Sequence, residues 1–251
     1  AGSTPAAAVS GRLQAERDGV QAARAEVRET GEGEWPEQRR RELAQTPHEG
    51  PATRRRASMA EAPLVVVGSS TGGPKALTQL FTALPGDFPA PVVVVQHMPA
   101  GFTHALAQRL NQLSPLAIAE AIPGRVPRAG EAWVAKGGVH LIFDHAKAMC
   151  EELSPPHMGV RPAVDITLES AVQRWGGNVV AVILTGMGMD GARGSRKVKQ
   201  AGGKVLAQDE QSSVIYGMPR AVVEMGLADR VEDIDAMAVA LTHTVYQIMN
   251  A

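Results

Sequence analysis

Four stretches of this chain are near-continuous runs of apolar, mostly β-branched residues: LVVVG (64–68), VVVVQ (92–96), VVAVILTG (179–186) and KVLAQD (204–209). A strand with one face in water alternates apolar and polar residues, whereas unalternated runs suit strands covered on both faces, as in a parallel sheet. Helical periods separate them. Ala76, Leu77, Leu80, Phe81 and Leu84 mark one helix face, with Pro74 near its first position. A second helix is predicted over Thr103–Leu113, and a third from Asp165, an N-cap residue type before ITLESAVQRW. Residues 131–153 alternate instead, with GG and DHAK as turns, which predicts a small antiparallel meander. The pattern is that of a doubly wound α/β domain over 62–251, with a mainly parallel sheet and flanking helices.

Residues 1–61 differ from the rest. They are rich in Ala, Arg, Glu and Gly, hold Trp35 as their one aromatic residue, and carry the basic run Arg54-Arg55-Arg56. Leu13, Val20 and Val27 recur at seven-residue spacing, which predicts an amphipathic helix over 11–30 within an otherwise disordered tail that orders on meeting a regulatory partner. The formal charge of −1 gives no electrostatic reason to expect nucleic acid or an anionic membrane as partner. No apolar run approaches the ~20 residues of a membrane span, and no secretory signal pattern opens the sequence. The single cysteine, Cys150, excludes an internal disulfide and reads as a half-buried inert thiol. These features predict a cytoplasmic chain.

In open parallel sheets, ligands bind beyond the carboxyl ends of the strands. Ser69, Ser70 and Thr71 follow the first run, His97 the second, and Asp190 the third, in GMGMDGARG. A hydroxyl, an imidazole and a carboxylate are the ingredients of nucleophilic acyl transfer. GSSTG (68–72) satisfies G-x-S-x-G with Ser70 at its centre, where a sharp strand-to-helix turn exposes the hydroxyl and small neighbours clear space around it. The order Ser, His, Asp departs from the α/β-hydrolase order, and His243 is the one histidine after Asp190. A phosphate cradle is excluded: Gly68 and Gly73 have Walker spacing, but Pro74 stands in the lysine position. His104, His140, His145 and His157 show no metal-ligand spacing, so neither metal nor cofactor is expected. Arg161, Asp165 and Glu169 read as a helix cap and a solvated face, and the methionines as packing. The residues alone leave open which ester or amide is cleaved, and whether GSSTG is only a tight turn.

Four segments, VVVGSSTGGPKAL, VVVVQHMPAGFT, LTGMGMDGARG and AQDEQSSVIYGMPRAV, resemble in that order the catalytic domain of the CheB family, the chemotaxis protein-glutamate methylesterases. RPAVD (161–165) resembles a further family segment. The resemblance implies hydrolysis of γ-glutamyl methyl esters on the cytoplasmic domains of chemoreceptors, with release of methanol, and in many members deamidation of receptor glutamines. By motif position it makes Ser70 the nucleophile, His97 the general base and Asp190 the orienting acid, with Thr71 and Met187 as oxyanion donors. Two departures stand out. Residues 1–61 are too short for the family's phosphoacceptor receiver domain, and AKGGVH (135–140) has Lys136 where the family commonly has proline. Two other readings compete: a triad esterase or amidase with a different substrate, and a non-catalytic chemosensory binding module.

Overall fold

The structure is a computed structural model, and it describes residues 62–251. The helix expected over 11–30 and the tail around it lie outside the described residues.

Seven strands form one parallel sheet in the order β3-β4-β2-β1-β7-β8-β9. They are β1 (Leu64–Ser69), β2 (Val92–Gln96), β3 (Ala117–Glu120), β4 (Glu131–Val134), β7 (Val179–Ile183), β8 (Lys204–Gln208) and β9 (Arg230–Glu232). The unalternated runs occupy its centre. Their side chains are shared between two cores: Val65, Val67, Val92 and Val94 face one, while Leu64, Val66, Val93 and Val95 face the other. The first core is closed by α1 (Gly73–Ala83), α2 (Phe102–Leu113) and α6 (Ile234–Met249). The second is closed by α3 (Val164–Trp175), α4 (Ala192–Gln200), α5 (Met218–Glu224) and the hairpin β5 (His140–Phe143)–β6 (Met149–Glu152). Each fully buried valine or leucine contributes about 1.5–3 kcal/mol relative to exposure, so apolar residues are favoured at every position of these strands.

The antiparallel part is narrower than the alternation over 131–153 suggests. Within 131–153 only β5 and β6 pair antiparallel; β4 lies parallel between β2 and β3 in the main sheet. Ala132, Trp133, Val134 and Ala135 are all buried, so β4 is covered on both faces although its first residue is polar. The third helix begins at Val164 with Ala163 as its N-cap, not with Asp165. Asp165 sits in its first turn and is fully buried. Helix α4 escaped the hydrophobic pattern because its buried positions are small, Ala192, Gly194 and Ser195, with Val198 alone of any size.

The crossover from β1 leads to β2 on one side, and that from β7 leads to β8 on the other. Adjacent β1 and β7 therefore flank a topological switch point, where diverging crossovers open a crevice at the strand ends. The start of α3 is pressed against this point. A Cβ on Gly68 would lie 2.6 Å from Val164 Cγ1, so glycine lets the helix approach β1 this closely. Gly68→Ala is expected to lower the unfolding free energy by about 1–3 kcal/mol through overpacking. Urea denaturation would show it as a lowered midpoint with an unchanged slope.

Candidate active site

Strand register brings the serine and the histidine together. Ser69 and Gln96 are paired at the ends of β1 and β2, so Ser70 and His97 are the next residue on each. The His97 N–H donates to Ser69 O at 3.0 Å, which carries the ladder one step past the strands. Ser70 N–H donates to Thr185 O at 3.0 Å, and Ser70 O accepts from Gly73 N at 2.8 Å as the chain turns into α1. The turn passes through Gly72 at φ 82°, a left-handed conformation in which glycine is unstrained. The glycines of GSSTG do not clear space around Ser70, as the motif suggested. That role belongs to Gly186, whose added Cβ would lie 2.8 Å from Ser70 Cβ. Gly72 instead admits Val214, and Gly73 admits the Gln96 side chain.

His97 and Asp190 meet directly. His97 Nε2 lies 2.7 Å from Asp190 Oδ2. Asp190 is buried and accepts further bonds from Val164 N at 2.6 Å, Asp165 N at 2.9 Å and Gly191 N at 3.0 Å. Burial pushes its carboxyl up, but the hydrogen bond and charge of His97 and the two α3 amides outweigh it, leaving Asp190 below the usual carboxylate range. Asp190 is thus an ionised acceptor, and His97 Nε2 must carry the proton of their bond. The lone pair of a neutral His97 is then on Nδ1, and that nitrogen is free to act as a base.

The N–H groups of Val164 and Asp165 are among those a helix start leaves unpartnered, and Ala163 has no side chain to cap them. Asp190 caps them from the neighbouring loop. Asp165 returns the arrangement: its Oδ1 accepts from Gly191 N at 2.9 Å and Gly194 N at 2.7 Å, at the start of α4. Its Oδ2 lies 2.9 Å from His157 Nε2. Burial pushes the Asp165 carboxyl up and the adjacent Asp190 charge adds to this; the Gly194 amide and His157 offset part, and the net displacement is upward. His157, Asp165 and Asp190 place one potential ligand atom each within 4.8 Å of one another. Their oxygens are already engaged by amides and imidazoles, which argues for a capping network and not a cation site.

Thr71 is half-buried, and Met187 and Met189 are 38% and 46% exposed. Among the described residues, the N–H groups of Thr71 and Met187 donate no hydrogen bond. The Ile215–Gly217 segment leading into α5 is bonded to Gly186, three residues past the end of β7. Gly186 N donates to Ile215 O at 3.0 Å, and Gly186 O accepts from Met218 N at 2.8 Å. Among the described residues Ser70 Oγ has no hydrogen-bond partner, so the hydroxyl is held by its backbone alone.

The structure therefore gathers Ser70, His97, Asp190, Thr71 and Met187 at adjacent ends of β1, β2 and β7. It adds Asp165, His157 and Gln96, whose roles the sequence reading missed. The available signal for Gln96 was a lone polar residue closing an otherwise apolar buried strand. Asp165 gave none, since an aspartate at a helix start resembles an ordinary cap.

Because the Asp190 carboxyl lies below its unfolded value, its contribution to stability is present above about pH 4 and is lost as pH falls through the folded value. Asp190→Asn is accordingly expected to lower the unfolding free energy by about 1–3 kcal/mol at neutral pH. Urea titrations from pH 7 to pH 3.5 should show the difference from the unaltered protein shrinking at the acid end.

This chain is similar to known proteins in both sequence and fold. The family model described as CheB methylesterase matches residues 65–241. A protein-glutamate methylesterase/protein-glutamine glutaminase of Symbiobacterium thermophilum is 50% identical over 182 residues, covering 72% of this chain and 50% of that protein. One from Pseudomonas fluorescens is 48% identical over 172 residues, covering 68% and 46%. One from Myxococcus xanthus is 45% identical over 185 residues, covering 72% and 53%. The chain spans about half the length of the curated relatives it matches. Among solved structures, the CheB methylesterase catalytic domain of Thermotoga maritima is similar with a TM-score of 0.71 and 43% identity, covering 73% of this chain and 99% of that one. With its family model matched across most of the sheet and its strand-end motifs in place, this chain belongs to the CheB methylesterase family.

Proposed function

We propose that residues 62–251 form a catalytic domain that hydrolyses γ-glutamyl methyl esters on chemoreceptor cytoplasmic segments, with Ser70, His97 and Asp190 as its triad. The carrying observation is the 2.7 Å bond between His97 Nε2 and an Asp190 that His97 and the α3 amides hold below the usual carboxylate range, with His97 and Ser70 each one residue past the paired ends of β2 and β1. The names of the relatives support the same reaction class.

In this reading Ser70 Oγ attacks the ester carbonyl while His97 Nδ1 takes its proton. Asp190 orients the ring and stabilises the imidazolium through Nε2–H. The tetrahedral oxyanion is received by the Thr71 and Met187 N–H groups, whose lack of partners among the described residues supports the assignment. As the C–O bond to the methoxy group breaks, His97 returns the proton and methanol leaves, with the glutamyl carbonyl esterified to Ser70. Water then attacks the acyl-enzyme with His97 again as base, releasing the glutamate carboxyl and restoring Ser70. A glutamine side chain follows the same path with ammonia as leaving group, in keeping with the glutaminase half of the relatives' names. No helix among the described residues is long and apolar enough to cross a membrane. A cytoplasmic enzyme, with the segment before residue 62 recruiting a regulatory partner, completes the proposal.

Ser70→Ala is expected to lower methanol release from a methylated receptor fragment by about 10³-fold or more, with folding unchanged. Retention of activity in that variant would overturn the nucleophile assignment. Hydrolysis of p-nitrophenyl esters without any methanol release would favour a different substrate.

A further inference from the structure

Gln96 ends β2 between the serine and the histidine, and its side chain is 2% exposed. Its Nε2 lies 2.9 Å from Ser70 O and 3.1 Å from His97 O. Both carbonyls can only accept, so the NH2 end of the amide must face them. The oxygen end then accepts from Ser69 Oγ at 2.7 Å, which fixes the orientation of the amide. Every polar atom of the side chain is engaged.

From this geometry we infer that Gln96 is a positioning residue for the reaction: its amide clamps together the peptide carbonyls of the nucleophile and the base. The inference rests on the triad reading above. Two carbonyl oxygens directed at one point repel each other, and the Gln96 NH2 group converts that repulsion into two hydrogen bonds. Ser70 O has Gly73 N as a second donor, whereas no other hydrogen bond to His97 O is made among the described residues. Loss of the amide therefore frees the His97 peptide first. That peptide sets where the imidazole starts from, so His97 Nδ1 and Ser70 Oγ lose their common frame. Gly73 makes room for the clamp, because a Cβ there would fall on Gln96 Oε1. Alanine favours a helix over glycine, so the glycine at this first position of α1 is explained by the amide and not by the helix.

The test is a double-mutant cycle on the described domain within its full chain, using Gln96→Met and Gly73→Ala. It is read by methanol release, by the rate at which a fluorophosphonate labels Ser70, and by thermal unfolding. Gln96→Met is expected to lower kcat and the labelling rate together by about 10–100-fold, as a small misplacement of reacting groups does, with KM within about 3-fold. Gly73→Ala should act in the same direction although it leaves Gln96 in the chain. The two effects should be non-additive, because both act through one amide. If Gln96→Met does not fold, Gly73→Ala carries the test alone, by the same split between kcat and KM. A folded Gln96→Met within twofold of the unaltered rate, or additive effects, would overturn the clamp. Failure of the unaltered protein to be labelled at Ser70 would instead overturn the triad reading, so the two failures are distinct.

Discussion

Two helix starts cap each other, and the site depends on that exchange. Helix α3 begins without a capping side chain of its own, and its free amides close on Asp190. Helix α4 begins two residues after Asp190, and the Gly191 and Gly194 amides at its start close on Asp165 from α3. Each carboxylate thereby meets partial positive charge at a helix start, which helps hold Asp190 below the usual carboxylate range and offsets part of the burial that pushes Asp165 up. The exchange also sets the geometry. Asp190 cannot turn away from His97 without leaving two α3 amides buried and unpaired, a loss of about 1–3 kcal/mol for each group. Gly68 lies beneath this arrangement, since only a residue without a side chain lets Val164 rest on β1.

The strand ends are stitched by a row of polar side chains that apolar strands would not lead one to expect. Gln96 closes β2 and joins the Ser70 and His97 carbonyls. Gln208 closes β8 and accepts from Thr185 N at 2.8 Å. Thr185 Oγ1 donates to Thr71 O at 3.0 Å and accepts from Ile215 N at 2.9 Å. The loops after β1, β2 and β7, and the Tyr216 loop, are held against one another by these bonds. A parallel sheet aligns its strand ends but leaves their last peptide groups without ladder partners. Buried amide and hydroxyl side chains meet that need while holding the Ser70 and His97 peptides in place.

Much of the fold was legible because burial on both faces leaves a plain mark in composition. The central strands β1, β2, β7 and β8 and helices α1 and α2 followed from their apolar runs and periods. The edge was harder. β4 is short and begins with Glu131, so its alternation suggested a meander where the fold uses it in parallel. Helix α4 was hidden by its basic surface and small buried residues. At the site, Ser70, His97 and Asp190 stood out because each follows an apolar run, where a polar residue is conspicuous. Asp165 did not, because an acidic residue at a helix start usually serves its own helix.

What the amino-acid sequence determined by itself was which elements form and which polar residues fall at their carboxyl ends. Those depend on local burial patterns and on turn chemistry within a few residues. Which of these side chains meet was decided only by the tertiary structure. The pairing of Asp190 with His97 joins positions far apart in the chain, and the exchange of caps between Asp165 and Asp190 needs two helices placed side by side. Hydrogen bonds of a few ångströms between distant segments leave no periodic trace in sequence. They arise from the order of strands in the sheet, and so from the packing of the whole domain.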